Sequence, residues 1–327
     1  MYGVKNCNTM KTSNLIIAGL ALSFSLFSTN SFAQYNKCAA KNVITAPVQE
    51  VYFDAASGTE QTRTVEREVS SDSYGNAQGN QYDLAVDGAF EGQTIAVLHL
   101  YTGEGFDFSL PTGALKEKGF SVYRWLNGPP AAEELKEGLD KACQLWIISS
   151  STQLLNADHI KVIKEFFDAG KGVYIWGDNE PYYADANYVA KALIGVEMTG
   201  NTMGNKVVDL MMGGKKVGVM PNHLITTGLQ HLYEGITIAT LSDNEDLEPL
   251  VYGSAGNLVT AVYEKDGKRL ILDGGFTRLY VNWDTAGTGR YVKNAAAWLV
   301  NVEKFGDDVV SNAVMEETET EVIEKIH

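Results

Sequence analysis

Between Thr94 and Ile194 apolar strands alternate with amphipathic helices, and this alternation narrows the available folds more than any other feature of the chain. Thr94 to Tyr101 reads as a continuous apolar strand. A short helix over Pro111 to Lys118 follows, with Ser109 as its candidate cap and Gly119 at its end. Ser121 to Leu126 is a second strand, and Ala131 to Lys141 a helix with Leu135 and Leu139 on one face. Leu145 to Ser149 is a third strand. Asn156 then offers a cap to a helix whose Ile160, Ile163 and Phe167 share one face, and Gly170 stops it. Gly172 to Trp176 is a fourth strand and Ala184 to Ile194 a further helix. The strands are apolar throughout rather than on one side. Such strands belong to a parallel sheet covered by helices on both faces.

After Gly195 the rhythm changes. Lys206 to Met212 and Val217 to Met220 read as two hairpin strands around Gly213-Gly214. Strands are also expected at Ile236 to Leu241, Leu250 to Tyr252, Leu258 to Tyr263 and Arg269 to Leu272. Lys265-Asp266-Gly267-Lys268 has the composition of a tight hairpin turn. Tyr291 to Val302 reads as a final helix with Val292, Ala296, Leu299 and Val300 inward.

The flanks differ in chemistry. Lys11 precedes an apolar run from Leu15 to Phe27, followed by Ser31-Phe32-Ala33, which is the layout of a secretory signal peptide over residues 1–33. That run falls short of the ~20 residues a helix needs to span a bilayer, so no stable membrane insertion is expected after cleavage. The mature chain is expected to be secreted or periplasmic. Residues 34–90 form a polar leader with candidate strands at Val48 to Phe53 and Arg63 to Val69, residues 91–303 the α/β domain, and residues 304–327 an acidic tail. The net charge is −15 and includes Lys5 and Lys11 of the signal segment. A chain this acidic is poorly suited to nucleic acid or anionic lipid. Cys38 and Cys143 could pair in an oxidising compartment, or Cys143 could be a small buried apolar residue; both readings stay open.

In an open parallel sheet, ligands gather beyond the carboxyl ends of the strands. Four polar loops are expected there. The first, Tyr101 to Asp107, carries Glu104; the second is Ser149-Ser150-Ser151-Thr152. The third is Gly177-Asp178-Asn179-Glu180-Pro181-Tyr182-Tyr183, and the fourth runs from Asp273 through Arg278 to Trp283, Asp284 and Arg290. The third has the form of a sharp strand-to-helix turn, which pushes its middle residue toward a ligand; in hydrolases and amidotransferases that residue is Ser or Cys. Here it is Asn179, and an amide is no nucleophile. Asp178, Asn179 and Asp185 also suit simple capping and turn roles.

Other groupings are weaker. Asp178, Glu180, Asp185, Asp273 and Asp284 could gather around a divalent cation such as calcium; no motif for any other cofactor is seen. Thr285 to Gly289 with Arg290 and Arg278 could cradle an anion at the start of the last helix. Tyr182, Tyr183, Tyr280 and Trp283 could wall a sugar site, and His223 is a loop residue near the sheet edge. His99, inside the first strand, reads as a core histidine. Gly253-Ser254-Ala255-Gly256 fails as a nucleophile elbow because Tyr252 stands at the first glycine position.

The order of strand–helix units, the turn over Gly172 to Pro181 and the segment Lys268 to Leu299, with Asp273-Gly274-Gly275 at its strand end, resemble the class I glutamine amidotransferase-like fold. The nearest likeness is to its nucleophile-less branch, which includes domains of intraflagellar transport proteins and trehalose-utilisation-like proteins. The resemblance covers roughly residues 92–302. It implies a flavodoxin-like parallel sheet with helices on both faces and a β-hairpin excursion. It also implies that Asn179 occupies the cysteine position and Pro181 the second glycine, with no His-x-Glu near Asp273. The expectation is an exported, non-catalytic binding or scaffold module for a small ligand, a glycan or a protein. The alternative is a carboxylate-dependent hydrolase of a glycan or peptide, metal-assisted or not. It would draw a carboxylate pair about 5–10 Å apart from Asp178, Glu180 and Asp273.

Overall fold

The computed structural model describes residues 45–103, 105–211 and 213–305. The expected signal peptide, Cys38, Glu104 and the acidic tail lie outside the described residues. The strands are β1 (Thr45–Asp54), β2 (Thr59–Glu68), β3 (Thr94–His99), β4 (Ser121–Leu126), β5 (Gln144–Ile148), β6 (Gly172–Trp176) and β7 (Met198–Met203). They continue with β8 (Val207–Asp209), β9 (Gly218–Val219), β10 (His231–Tyr233), β11 (Thr237–Leu241), β12 (Leu247–Tyr252), β13 (Leu258–Lys265) and β14 (Lys268–Asp273). The helices are α1 (Ser109–Glu117), α2 (Ala132–Leu139), α3 (Ala157–Asp168), α4 (Ala184–Ile194) and α5 (Thr288–Leu299).

Eight strands form the central sheet in the order β4-β3-β5-β6-β14-β13-β12-β9. The first five are parallel, in the flavodoxin-like order, and the last three continue antiparallel. The change of direction follows from the β13–β14 connection. Asp266 and Gly267 both take positive φ, 54° and 68°, as a two-residue hairpin turn requires, and a link that short can only return antiparallel. The parallel strands bury both sides. Trp146, Tyr174 and Trp176 face a core with α1 and α5, while Leu145, Ile147, Val173 and Ile175 face α2, α3 and α4.

α3 shows why its residues form a helix there. Asn156 Oδ1 accepts the backbone N–H groups of Asp158 at 3.0 Å and His159 at 3.2 Å, and His159 Nδ1 accepts that of Asn156 at 3.1 Å. This reciprocal capping satisfies donors that the first turn leaves free. α1 departs from expectation: its cap is Phe108, held at φ 66°, and Ser109 is the first helical residue. α5 starts at Thr288, three residues before the expected Tyr291, because Gly287 at φ 78° turns the chain into it.

The expected hairpin around Gly213-Gly214 does not form. β8 pairs with β10, β9 pairs with β12, and Leu210 meets Val219 only as a parallel bridge. Gly218 is the cause: its φ is 117°, and a Cβ there would sit 2.2 Å from the Asp209 carbonyl oxygen. The chain crosses itself at that point instead of folding back in register. β11 pairs with β7 outside the central sheet.

Ahead of the sheet, β1 and β2 pair along their whole length and expose Val51 and Phe53. The buried unit reaches back to Asn76. Asp83 is fully buried among Lys118 at 2.9 Å, Lys293 at 2.8 Å and Arg290 at 2.7 Å, and Phe90 stacks on Phe120 at 4.6 Å. Cys143 is buried, which pushes its thiol up to about 12. Among the described residues no helix is long and apolar enough to cross a membrane.

Replacing Asn156 by alanine removes both accepted bonds at the α3 start. We expect a loss of about 1 kcal/mol in denaturant-induced unfolding with an unchanged slope.

Candidate functional site

The turn after β6 is built around Gly177. A Cβ there would meet Met198 Sδ at 2.4 Å and Tyr183 Cβ at 3.1 Å, so any side chain would have to displace both. Gly177 donates its N–H to the Asp273 carbonyl at 2.9 Å and accepts that of Phe276 at 3.1 Å, which joins the ends of β6 and β14. Within the turn the Asp178 N–H donates to the Tyr182 carbonyl at 3.2 Å and that of Tyr182 to the Asn179 carbonyl at 2.7 Å; the Glu180–Pro181 bond is cis. Asn179 is outside the left-handed region, so the strained backbone that presents a nucleophile in such elbows is absent here. Its side chain is also occupied. Oδ1 accepts from Thr237 Oγ1 at 2.8 Å, and Nδ2 donates to the Glu180 carbonyl at 2.9 Å.

Asp178 is only 6% exposed and lines a cleft of about 190 Å³. The opposite walls are Tyr101 from the end of β3, Tyr182 from the turn, Thr237 from β11, and Phe276 and Tyr280 from the segment after β14. Tyr101 meets Tyr182 edge-on at 5.6 Å and Phe276 at 5.3 Å; Phe276 lies 5.4 Å from Tyr280. Phe106 backs this wall, 4.9 Å from Phe276 and 5.0 Å from Tyr280. Among the described residues, no lysine, arginine, serine, cysteine or histidine lines the cleft.

Beneath the cleft is a closed polar network. Asp273, fully buried, accepts the Gly275 N–H on Oδ1 at 2.9 Å. Its Oδ2 accepts from Tyr291 Oη at 2.7 Å and Arg278 Nη1 at 3.2 Å, with Tyr174 Oη at 3.3 Å. The single O–H of Tyr174 goes to Tyr291 Oη, the shorter of its contacts at 2.7 Å, and Tyr291 in turn donates to Asp273. Arg278 Nη2 donates to the Glu234 carbonyl at 3.0 Å. Burial holds both phenols well above their ordinary range, so they serve as neutral donors.

The structure thus divides the expected site residues. Asp178, Asn179 and Tyr182 line the cleft. Glu180 is exposed on the outer rim, its N–H bonded to the Gly200 carbonyl at 3.0 Å. Tyr183 caps α4 and packs into the second core. Asp273 and Arg278, expected on the rim, are sealed below it, because a carboxylate and a guanidinium buried at a strand end satisfy each other. Arg290, expected at an anion cradle, is held by Asp83 and by the Gly228 and Gly79 carbonyls, each at 2.9 Å. Trp283 packs against the first core and Asp284 is exposed. His223 accepts the Ile225 N–H at 3.1 Å and sits edge-on to Trp298 at 5.5 Å, well into the packing under α5.

Asp185 is likewise a structural group. It accepts the N–H groups of Leu154 and Leu155 at 2.8 and 2.9 Å, and burial raises its carboxyl. The carboxylates expected around a cation therefore serve separate places, and among the described residues no group of three or more His, Cys, Asp or Glu could hold a metal ion. Thr237 is a cleft residue that the sequence does not reveal: nothing local marks it, because β11 reaches the cleft by pairing with β7 from outside the sheet. Tyr101 and Phe276 carry a signal, since each closely follows the end of a core strand.

No family model and no curated protein matches the chain. Among solved structures, a GMP-synthase-like protein from Thermoplasma acidophilum is similar over 65% of this chain and 96% of its own, at 10% identity and a TM-score of 0.41. A ThuA-like protein from Parabacteroides merdae ATCC 43184 is similar over 64% and 90%, at 11% identity and a TM-score of 0.44. An exo-β-1,4-mannosidase from Opitutaceae bacterium strain TAV5 is similar over 64% of this chain and 36% of its own, at 10% identity and a TM-score of 0.37. Likeness at this level assigns neither a family nor an activity to the chain.

Two stability outcomes follow. Asp273→Leu leaves the Arg278 guanidinium buried without its counter-ion, and should cost about 3–5 kcal/mol in urea unfolding. The double change Asp273→Leu with Arg278→Met should recover part of that loss. The second outcome concerns acid. Burial first, with Arg124 beside His99 and Arg269 toward His223, lowers both imidazoles from 6.5 to about 4. The unfolded chain takes up these protons first. Stability from both groups is therefore complete above pH 6.5 and is lost as pH falls from there toward 4. Thermal unfolding across that window should show a falling midpoint, and His223→Gln should flatten part of the slope; an unchanged slope counts against it.

Proposed function

We propose that the chain is an exported, non-catalytic binding module that takes a small ligand in the cleft at the carboxyl edge of its sheet. The carrying observation is Asn179. It stands at the reactive position of a strand-to-helix turn, yet both ends of its amide are engaged and its backbone is relaxed. Around it the cleft offers aromatic rings and one nearly buried carboxylate, the composition of a recognition site. The same turn supports a place beside the nucleophile-less branch of the class I glutamine amidotransferase-like fold. Export rests on the Leu15 to Phe27 run with Ser31-Phe32-Ala33 after it. A carboxylate-pair hydrolase finds less support, because among the described residues Asp178 is the one carboxylate lining the cleft and Asp273 is spent in the network below.

The test is a saturation-transfer NMR screen of purified protein against neutral sugars, amino acids, small carboxylates and small amines. Hits should lose their signal in Asp178→Ala/Asn179→Ala protein that retains wild-type circular dichroism. The bound compounds should be recovered intact after long incubation. Binding that survives the double substitution, or turnover of a bound glycan or peptide, would sink the reading.

A further inference from the structure

Resting on that reading, we propose that the ligand class is a small organic cation, an amine or alkylammonium bearing a few carbons, held between Asp178 and the aromatic wall. Charge, walls and size each point there.

The Tyr233 phenol, itself buried, is raised by burial and feels Glu234, Arg278 and Asp178 together, so these groups share one neighbourhood. Asp273 adjoins them through Arg278. Asp178 is buried at the cleft wall, while Asp273 and Arg278 pair with each other. Glu234 is directed away from the cleft, accepting the Ser254 N–H at 2.6 Å and its hydroxyl at 2.8 Å. Arg278 is committed to Asp273 and to the Glu234 carbonyl. Asp178 is the charged group that lines the cleft itself. A nearly buried carboxylate on the cleft wall disfavours an anionic guest and favours a positive one.

The walls match that sign. Tyr101, Tyr182, Phe276 and Tyr280 supply electron-rich rings, and rings of this type attract ammonium groups beyond their apolar contact. Among the described residues, no lysine or arginine lines the cleft to compete. About 190 Å³ lies below the ~300 Å³ at which ordinary ligand pockets begin, which restricts the guest to a few heavy atoms. The net charge of −15 adds long-range attraction for cations.

The test compares choline with 3,3-dimethylbutan-1-ol, its neutral carbon isostere, together with ethanolamine, tetramethylammonium, glucose and acetate. Titration calorimetry on the full chain is the measurement. Choline or another ammonium of the series should bind at least about tenfold more tightly than the neutral isostere, and more weakly as salt rises. Asp178→Asn should reduce that affinity by about tenfold or more and abolish the preference over the isostere. Tyr182→Ala, at an exposed position that the fold does not need, should weaken the ammonium by severalfold. Equal binding of choline and its isostere overturns the inference, as does ammonium affinity unmoved by either substitution. Glucose or acetate binding while every ammonium fails also overturns it, and leaves the cleft standing as a binding site. Silence from every probe here and in the broader NMR screen overturns the binding reading as well.

Discussion

The carboxylate of Asp273 joins β6 and α5 to the segment that follows its own strand. Its own strand β14 runs beside β6, whose Tyr174 reaches it; α5 supplies Tyr291; the segment after β14 supplies Gly275 and Arg278. A carboxylate left alone at that depth would be driven to neutralise. Tyr291, itself backed by Tyr174, with one backbone N–H and one guanidinium, saturates it instead, and the cost of removing any partner fixes the angle at which the Phe276 to Tyr280 segment leaves the sheet. That segment is half of the cleft. The cleft wall therefore depends on a network below it.

The network also accounts for much of the polar richness at this sheet edge. Asp273, Arg278, Arg290 and Asp185 each look like site residues when the chain is read in one dimension. Each is consumed by folding: one pair neutralises itself under the floor, Arg290 anchors Asp83, and Asp185 anchors the loop after β5. Buried ionic groups must be paired, and a sheet end enclosed by loops has more such groups than a two-sided solvent rim would. What remains facing the cleft is Asp178 among aromatic rings.

The parallel half of the fold was legible because its signals are local. Gly172–Trp176 and Ala184–Ile194 fall where periodicity and glycine stops place them, Asn156 caps its own helix, and Asp266-Gly267 dictates its own turn. From Met198 to Leu241 the strands are short, and their partners lie tens of residues away. Only the close approach of Gly218 to Asp209 decides that β8 and β9 part company, and no residue pattern announces it. The turn at Asp178 and Asn179 was legible for the same reason as the helices. Thr237 was not, since its place at the cleft comes from β11 pairing with β7. Whether a charged side chain points to solvent or into a network is likewise set by neighbours distant in sequence, which is why Asp273 and Arg290 read as rim residues.

Asn179 shows how one residue type changes what such a turn can do. A thiol or hydroxyl at this position needs a strained backbone to stand clear and a base to remove its proton. An amide needs neither, and it can donate and accept at once. Here it does both, bridging Thr237 on β11 to the Glu180 carbonyl within its own turn. The position that would carry the reaction has become a strut between the sheet edge and the excursion outside it. Because the strut satisfies its own hydrogen bonds, it leaves Asp178, the preceding residue, as the charged group facing the cleft. The engaged amide of Asn179 and the carboxylate of Asp178 at the cleft wall are thus two results of the same local geometry.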